Sequence, residues 1–187
     1  MKPIWSKSKP NGSTNGVTIS KMNLYAKLAK VETFILDIDG VLTDGKLYLD
    51  PSGSLMRTFS VKDGYGMKLA TSKGYHFWIC SGGYTPGAEE RLQALGVTEV
   101  HMRVEDKGAR INALIKKHGI VAEQTLYLGD DIPDLPAMRI SGVACCPQDA
   151  ATEVKQYCDY VSSRKGGEGV VRDVIEMVLK TRGDWQV

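Results

Sequence analysis

Asp37 and Asp39 stand two residues apart at the end of the apolar run Phe34-Ile35-Leu36, and Gly40 follows at once. In an extended chain residues two apart point to the same side, so both carboxylates project together from the C-terminal end of a buried strand. Ligands of open α/β sheets bind at that end. Two acids so close repel unless a cation or a reaction uses them. A carboxylate can attack phosphorus and form an aspartyl-phosphate, which divides hydrolysis into two easier steps. A D-x-D pair alone also fits a structural turn or a calcium loop. An EF-hand needs further oxygen ligands and a Glu at its twelfth position. Val41 and Tyr48 occupy the corresponding positions here, which excludes that loop.

Three further positions fall where the same site would need them. Ser81 follows Phe77-Trp78-Ile79-Cys80, Lys107 opens a helix, and Gly129-Asp130-Asp131 with Asp134 follows the run Thr125 to Leu128. Taken singly, Ser81 reads as a cap, Lys107 as solvated surface and the acidic triplet as a helix N-cap. Taken together, strands that end in Asp37, Ser81 and Asp130 assemble one site along one sheet edge.

The elements that carry these residues alternate regularly. Met22 to Ala29 has helical spacing, and strands are expected at 33–38, 75–80, 97–102, 125–128, 143–144 and 159–161. Helices are expected from Asp63 to Ser72, Pro86 to Leu95, 107–118, 132–140, 149–157 and Val170 to Lys180. Lys46 to Leu49 and Leu55 to Phe59 flank Asp50-Pro51-Ser52-Gly53 as a β-hairpin. Strand–helix alternation of this kind implies a Rossmann-like parallel sheet covered by helices on both faces.

Composition narrows the function classes. The chain has 187 residues, 42% of them hydrophobic and 25% charged, with a formal net charge of +2, as expected of one globular domain. Lys and Arg are dispersed without an accompanying aromatic run, so no nucleic-acid partner is expected. No apolar segment approaches about 18 residues, so no membrane span is expected. Cys80, Cys145, Cys146 and Cys158 form no C-x-x-C pair and read as reduced core thiols of a cytoplasmic protein. His76, His101 and His118 lack metal-ligand spacing. Gly82 to Gly87 has the spacing of a P-loop, but Ala88-Glu89 replaces its Lys-Ser/Thr, and no G-x-G-x-x-G occurs. Residues 1–20 are rich in Ser, Gly, Asn, Pro and Lys and read as a disordered leader. A single domain over 21–182 follows, then a tail at 183–187.

Asp37-Ile38-Asp39-Gly40-Val41-Leu42-Thr43, Ser81, Lys107 and Gly129-Asp130-Asp131 resemble, in order, the four motifs of the haloacid dehalogenase (HAD) phosphotransferase superfamily. The resemblance spans roughly residues 31–180 and is closest to the small phosphatases that act on 3-deoxy-D-manno-octulosonate 8-phosphate (KDO 8-phosphate). It implies a HAD-like fold in which Asp37 is the nucleophile and Asp39 the general acid and base. It further implies Mg²⁺ held by the Asp37 side chain, the Asp39 carbonyl and the Asp130 side chain, with Asp131 and Asp134 in support. Ser81, Gly82 and Lys107 are implied as phosphate-binding residues.

Larger members of the superfamily insert a cap domain after the first or second motif. Here 43 residues separate Asp37 from Ser81 and 25 separate Ser81 from Lys107, too few for a cap. The resemblance implies a homotetramer whose protruding hairpin serves a neighbouring site, and the apolar Leu47, Tyr48, Leu49, Leu55, Met56 and Phe59 fit such an interface; packing of one hairpin face on its own core is the other reading. Arg164 to Arg172 resembles the family's mobile Gly-rich tail, with Arg172 either binding a sugar carboxylate or pairing with an acid of its own helix. Where these relatives carry Arg after the Gly of the second motif, this chain has Gly83, and Arg103-Val104-Glu105-Asp106 also departs from the usual pattern. Glu168 resembles relatives that act on nine-carbon sugar acid phosphates. The expected substrate is therefore a small phosphorylated sugar acid, KDO 8-phosphate or a nonulosonate 9-phosphate. A non-catalytic oligomerisation module is the contrasting expectation.

Overall fold

The computed structural model describes residues 24–84 and 87–186. The expected leader 1–20, the start of the first helix and Pro86 lie outside the described residues.

Six parallel strands form the central sheet in the order β5-β4-β1-β6-β7-β8. They are β1 (Thr33–Leu36), β4 (His76–Cys80), β5 (Glu99–His101), β6 (Thr125–Leu128), β7 (Val143–Cys146) and β8 (Tyr160–Val161). The remaining pair, β2 (Tyr48–Leu49) and β3 (Leu55–Met56), makes a separate antiparallel hairpin. Its turn is tied by Asp50 Oδ1, which accepts from the Ser52 and Ser54 amides.

Side chains alternate across β1, and the two faces build two cores. Phe34 and Leu36 point to a cluster with Phe77, Ile79, Leu126 and Leu128. That face is covered by helical residues 24–28 (α1), α2 (Val61–Ser72), α3 (Ala88–Gln93) and α7 (Val170–Arg182). Ile35 points the other way, with Trp78, Tyr127 and Ala144. There the cover is α4 (Lys107–His118), α5 (Leu135–Met138) and α6 (Thr152–Tyr157). The parallel α/β sheet with helices on both faces is as the alternation implied.

The differences from expectation lie at element ends. β1 stops at Leu36, two residues early, because Asp37 caps the tight turn Ile38–Leu42 through a bond from the Ile38 amide. The α2 helix starts at Val61 rather than Asp63, since Ser60 supplies the N-cap to the Asp63 amide. Asp63 then turns its own carboxylate to the Arg172 amide at the start of α7, joining two helix N-termini. Residues 132–140 form a turn, Ile132–Asp134, before the short α5. Trp185, placed in the expected tail, packs on the core and stacks against Arg172. All four cysteines are free; Cys80, Cys145 and Cys146 are buried and Cys158 is partly so.

The Gly-rich stretch is packed against the first-motif turn. The Gly167 amide donates to the Val41 carbonyl and the Gly166 amide to Asp149. A Cβ on Gly166 would lie 2.0 Å from the Gly40 carbonyl oxygen. These glycines permit close approach, a different use from the freedom of a mobile tail.

Candidate active site

Three adjacent central strands deliver the reactive groups. Asp37 follows β1, Ser81 follows β4 and Asp130 follows β6. Register explains the convergence: Leu36 pairs with Ile79 on one side and Leu128 on the other, so the three strands end level. Gly40, with φ of +83°, reverses the chain after Asp39, and a Cβ there would fall 2.0 Å from Asp130 Oδ2. Asp130 thus packs directly over the turn that carries both acids.

The cleft, about 330 Å³, is lined by Asp37, Asp39, Ser81, Gly82, Lys107, Asp130, Asp131 and Asp134, together with Gly45, Gly83, Val104 and Pro133. Every expected site residue except Arg172 is therefore brought together. Arg172 lies on α7, where its Nε donates to Glu176 Oε1 at 2.7 Å and its guanidinium stacks on Tyr65 and Trp185. Within its own chain it is engaged by a helix acid, the second of its two readings.

Lys107 is buried between two acids, with Nζ 2.9 Å from Asp37 Oδ2 and 2.7 Å from Asp134 Oδ1. Burial opposes its charge, yet the two carboxylates outweigh burial and hold its pKa above the usual lysine range. Asp134 is fully buried. Its Oδ1 accepts from Lys107 and from the Tyr127 hydroxyl, and its Oδ2 accepts from the Asp130 and Asp131 amides. Four donors saturate that carboxylate.

Negative charge remains in excess. Burial, and then Asp134, push Asp37 up to about 6 against the pull of Lys107. Burial, Asp134, Asp37 and Asp131 push Asp130 up to about 8. Carboxylate oxygens of Asp37, Asp130 and Asp134 lie within 4.8 Å of one another. Asp134 is already saturated, whereas Asp37, which accepts only from the Ile38 amide and Lys107, and Asp130 keep lone pairs for a cation. Hard oxygen donors carrying surplus charge fit a magnesium ion. Asp131 is exposed and caps its own turn through the Ile132 amide.

Two residues of the site escaped the sequence reading. Tyr127 was hidden in an apolar strand, although a buried Tyr signals a hydrogen-bond partner. Arg57, just after β3, donates from Nε to Asp39 Oδ1 at 2.6 Å and from Nη2 to Asp39 Oδ2 at 3.1 Å. A lone Arg beyond a hairpin carries no signal of that kind. The loop behind Ser81 is pinned as well: Ser81 Oγ accepts from the Gly83 amide, and Arg103 donates its amide to the Gly83 carbonyl while its guanidinium lies over the Tyr84 ring.

A sheet of this order with acids at its central strand ends defines a haloacid dehalogenase-like hydrolase, and the family model of that description matches residues 99–174. The chain is 36% identical over 160 residues to the KDO 8-phosphate phosphatase KdsC of Haemophilus influenzae, covering 86% of this chain and 89% of that protein. It is 33% identical to the Escherichia coli K12 KdsC over 161 residues, 86% of each. The crystal structure of the Moraxella catarrhalis KDO 8-phosphate phosphatase, in complex with magnesium ion, phosphate ion and KDO, superposes with a TM-score of 0.84. That match has 29% identity and covers 92% of this chain and 95% of the other. The chain belongs to the KDO 8-phosphate phosphatase family of the HAD hydrolases, and it is a phosphatase.

Proposed function

We propose that this chain is a Mg²⁺-dependent phosphatase that hydrolyses KDO 8-phosphate through an aspartyl-phosphate on Asp37. The observation that carries this reading is the joint placement of Asp37, Asp39, Ser81 and Lys107 in one cleft, with Asp130 free to complete a cation site. Identity to the KDO 8-phosphate phosphatases over most of the chain supports the substrate.

An Asp37 oxygen attacks phosphorus while the bond to the sugar oxygen breaks. Asp39 gives that oxygen its proton, and the same group then takes a proton from the water that cleaves the aspartyl-phosphate. Lys107 offsets charge on the nucleophile and on the incoming phosphate, and the Ser81 hydroxyl and Gly82 amide hold phosphoryl oxygens. Mg²⁺, held by the Asp37 and Asp130 side chains and the Asp39 carbonyl, would neutralise phosphate charge. Asp134 acts on Lys107, and Asp131 lines the mouth.

Phosphate release from KDO 8-phosphate, beside a nonulosonate 9-phosphate and hexose phosphates, tests the reading. Asp37→Asn is expected to lower kcat by on the order of 10⁴-fold or more. No release from any ester by the wild type would leave the non-catalytic module. We further propose a cytoplasmic homotetramer. The exposed Leu47, Tyr48, Leu49 and Met56 of the hairpin support an interface between copies. Light scattering that gave a monomer would overturn it.

A further inference from the structure

Resting on the phosphatase reading above, we propose that Arg57 is a positioning residue that holds Asp39 in the cleft, and that position 83 is a glycine to leave room for it. The contact is a two-pronged one, with Nε and Nη2 of the guanidinium on the two oxygens of one carboxylate at 2.6 and 3.1 Å. Only the planar fork of Arg makes such a pair, which fixes the plane of the carboxylate as well as its distance. The remaining arm, Nη1, reaches the Tyr84 carbonyl at 3.4 Å, so Arg57 also joins the hairpin base to the loop behind Ser81.

Gly83 gives the second, independent observation. A Cβ there would sit 2.8 Å from Asp39 Oδ2 and 3.3 Å from Arg57 Nη2. Its φ lies outside the left-handed region, so the backbone does not demand glycine; the space does. Ser81 Oγ is 3.7 Å from the same point, which places the fork beside the phosphoryl-binding hydroxyl.

The fork therefore aims the group that serves the leaving oxygen, and its loss is felt most where that oxygen needs a proton. The full-length chain with Mg²⁺ is assayed on KDO 8-phosphate, whose alkoxide leaves poorly, and on p-nitrophenyl phosphate, whose phenolate leaves unaided. Arg57→Met is expected to lower kcat/KM on the sugar phosphate, which reports the steps through departure of the leaving group, by on the order of 10²-fold, the scale of a 1 Å misplacement, with a much smaller loss of kcat/KM on the aryl ester. The water-activating step that Asp39 also serves is common to both esters and falls outside this ratio. Arg57→Lys recovers part of the loss. Gly83→Ala repeats the pattern, and the double variant loses no more than the worse single one. Equal losses on both esters, or none, overturn the inference. A wild type active on neither ester sinks the phosphatase reading itself.

Discussion

Asp134 touches no substrate in the proposed reaction, yet four donors converge on it. Asparagine there keeps the shape but offers one acceptor oxygen, so either Lys107 and Tyr127 or two backbone amides lose their partner. Lys107 keeps Asp37, so the cost is that of buried donors left without an acceptor, about 1–3 kcal/mol. Asp134→Asn should lower Tm by roughly 5 °C in a domain of this size. An unchanged melting curve would show that the network carries little stability. At this scale the acids could be singled out because four motifs stand in the order of a known superfamily; the D-x-D spacing alone fits a structural turn as well. Arg57 could not, since its partner lies eighteen positions away along a hairpin whose path no local pattern states.

At the scale of elements, strand identity and order of appearance were readable, and their ends were not. Capping decides the ends, and caps compete: Asp37 ends β1 by bonding the Ile38 amide, while Ser60 starts α2 before the expected Asp63. Glycines separate two uses that look alike in sequence. Gly53, at φ +82° with open space around it, serves a turn, whereas Gly166 lies against the Gly40 carbonyl. Gly53→Ala should cost about 1 kcal/mol of backbone strain. Gly166→Ala should cost about 2 kcal/mol or more and lower kcat too, because the displaced element is the turn that carries Asp37 and Asp39. Urea unfolding and phosphate release on the two variants check both statements. Comparable effects would remove the distinction.

At the scale of the whole molecule, the acidic cleft makes stability depend on pH and on cation together. In the metal-free protein Asp130 is pushed up to about 8 and Asp37 to about 6, against 3.8 unfolded. Between those values the folded state holds more protons, so these groups reduce stability as pH rises from about 4 towards 8. Mg²⁺ competes with the same protons. Its addition should raise Tm more at pH 8 than at pH 6, approaching about 2.7 kcal/mol at a hundred times its Kd. Calorimetry at the two pH values with and without Mg²⁺ decides it, and equal shifts would count against Asp37 and Asp130 as ligands.

The stretch that braces the turn after β1, Gly166 and Gly167, sits far along the chain, and α7 beyond it reaches back to bond the Val31 carbonyl through Arg182 Nη1 at 2.6 Å. During synthesis on a ribosome, Asp37 and Asp39 therefore emerge well before Gly166 and Gly167, and their turn stays unbraced until those glycines have been made. The two acids come early in the domain, and the surroundings that hold them are finished late.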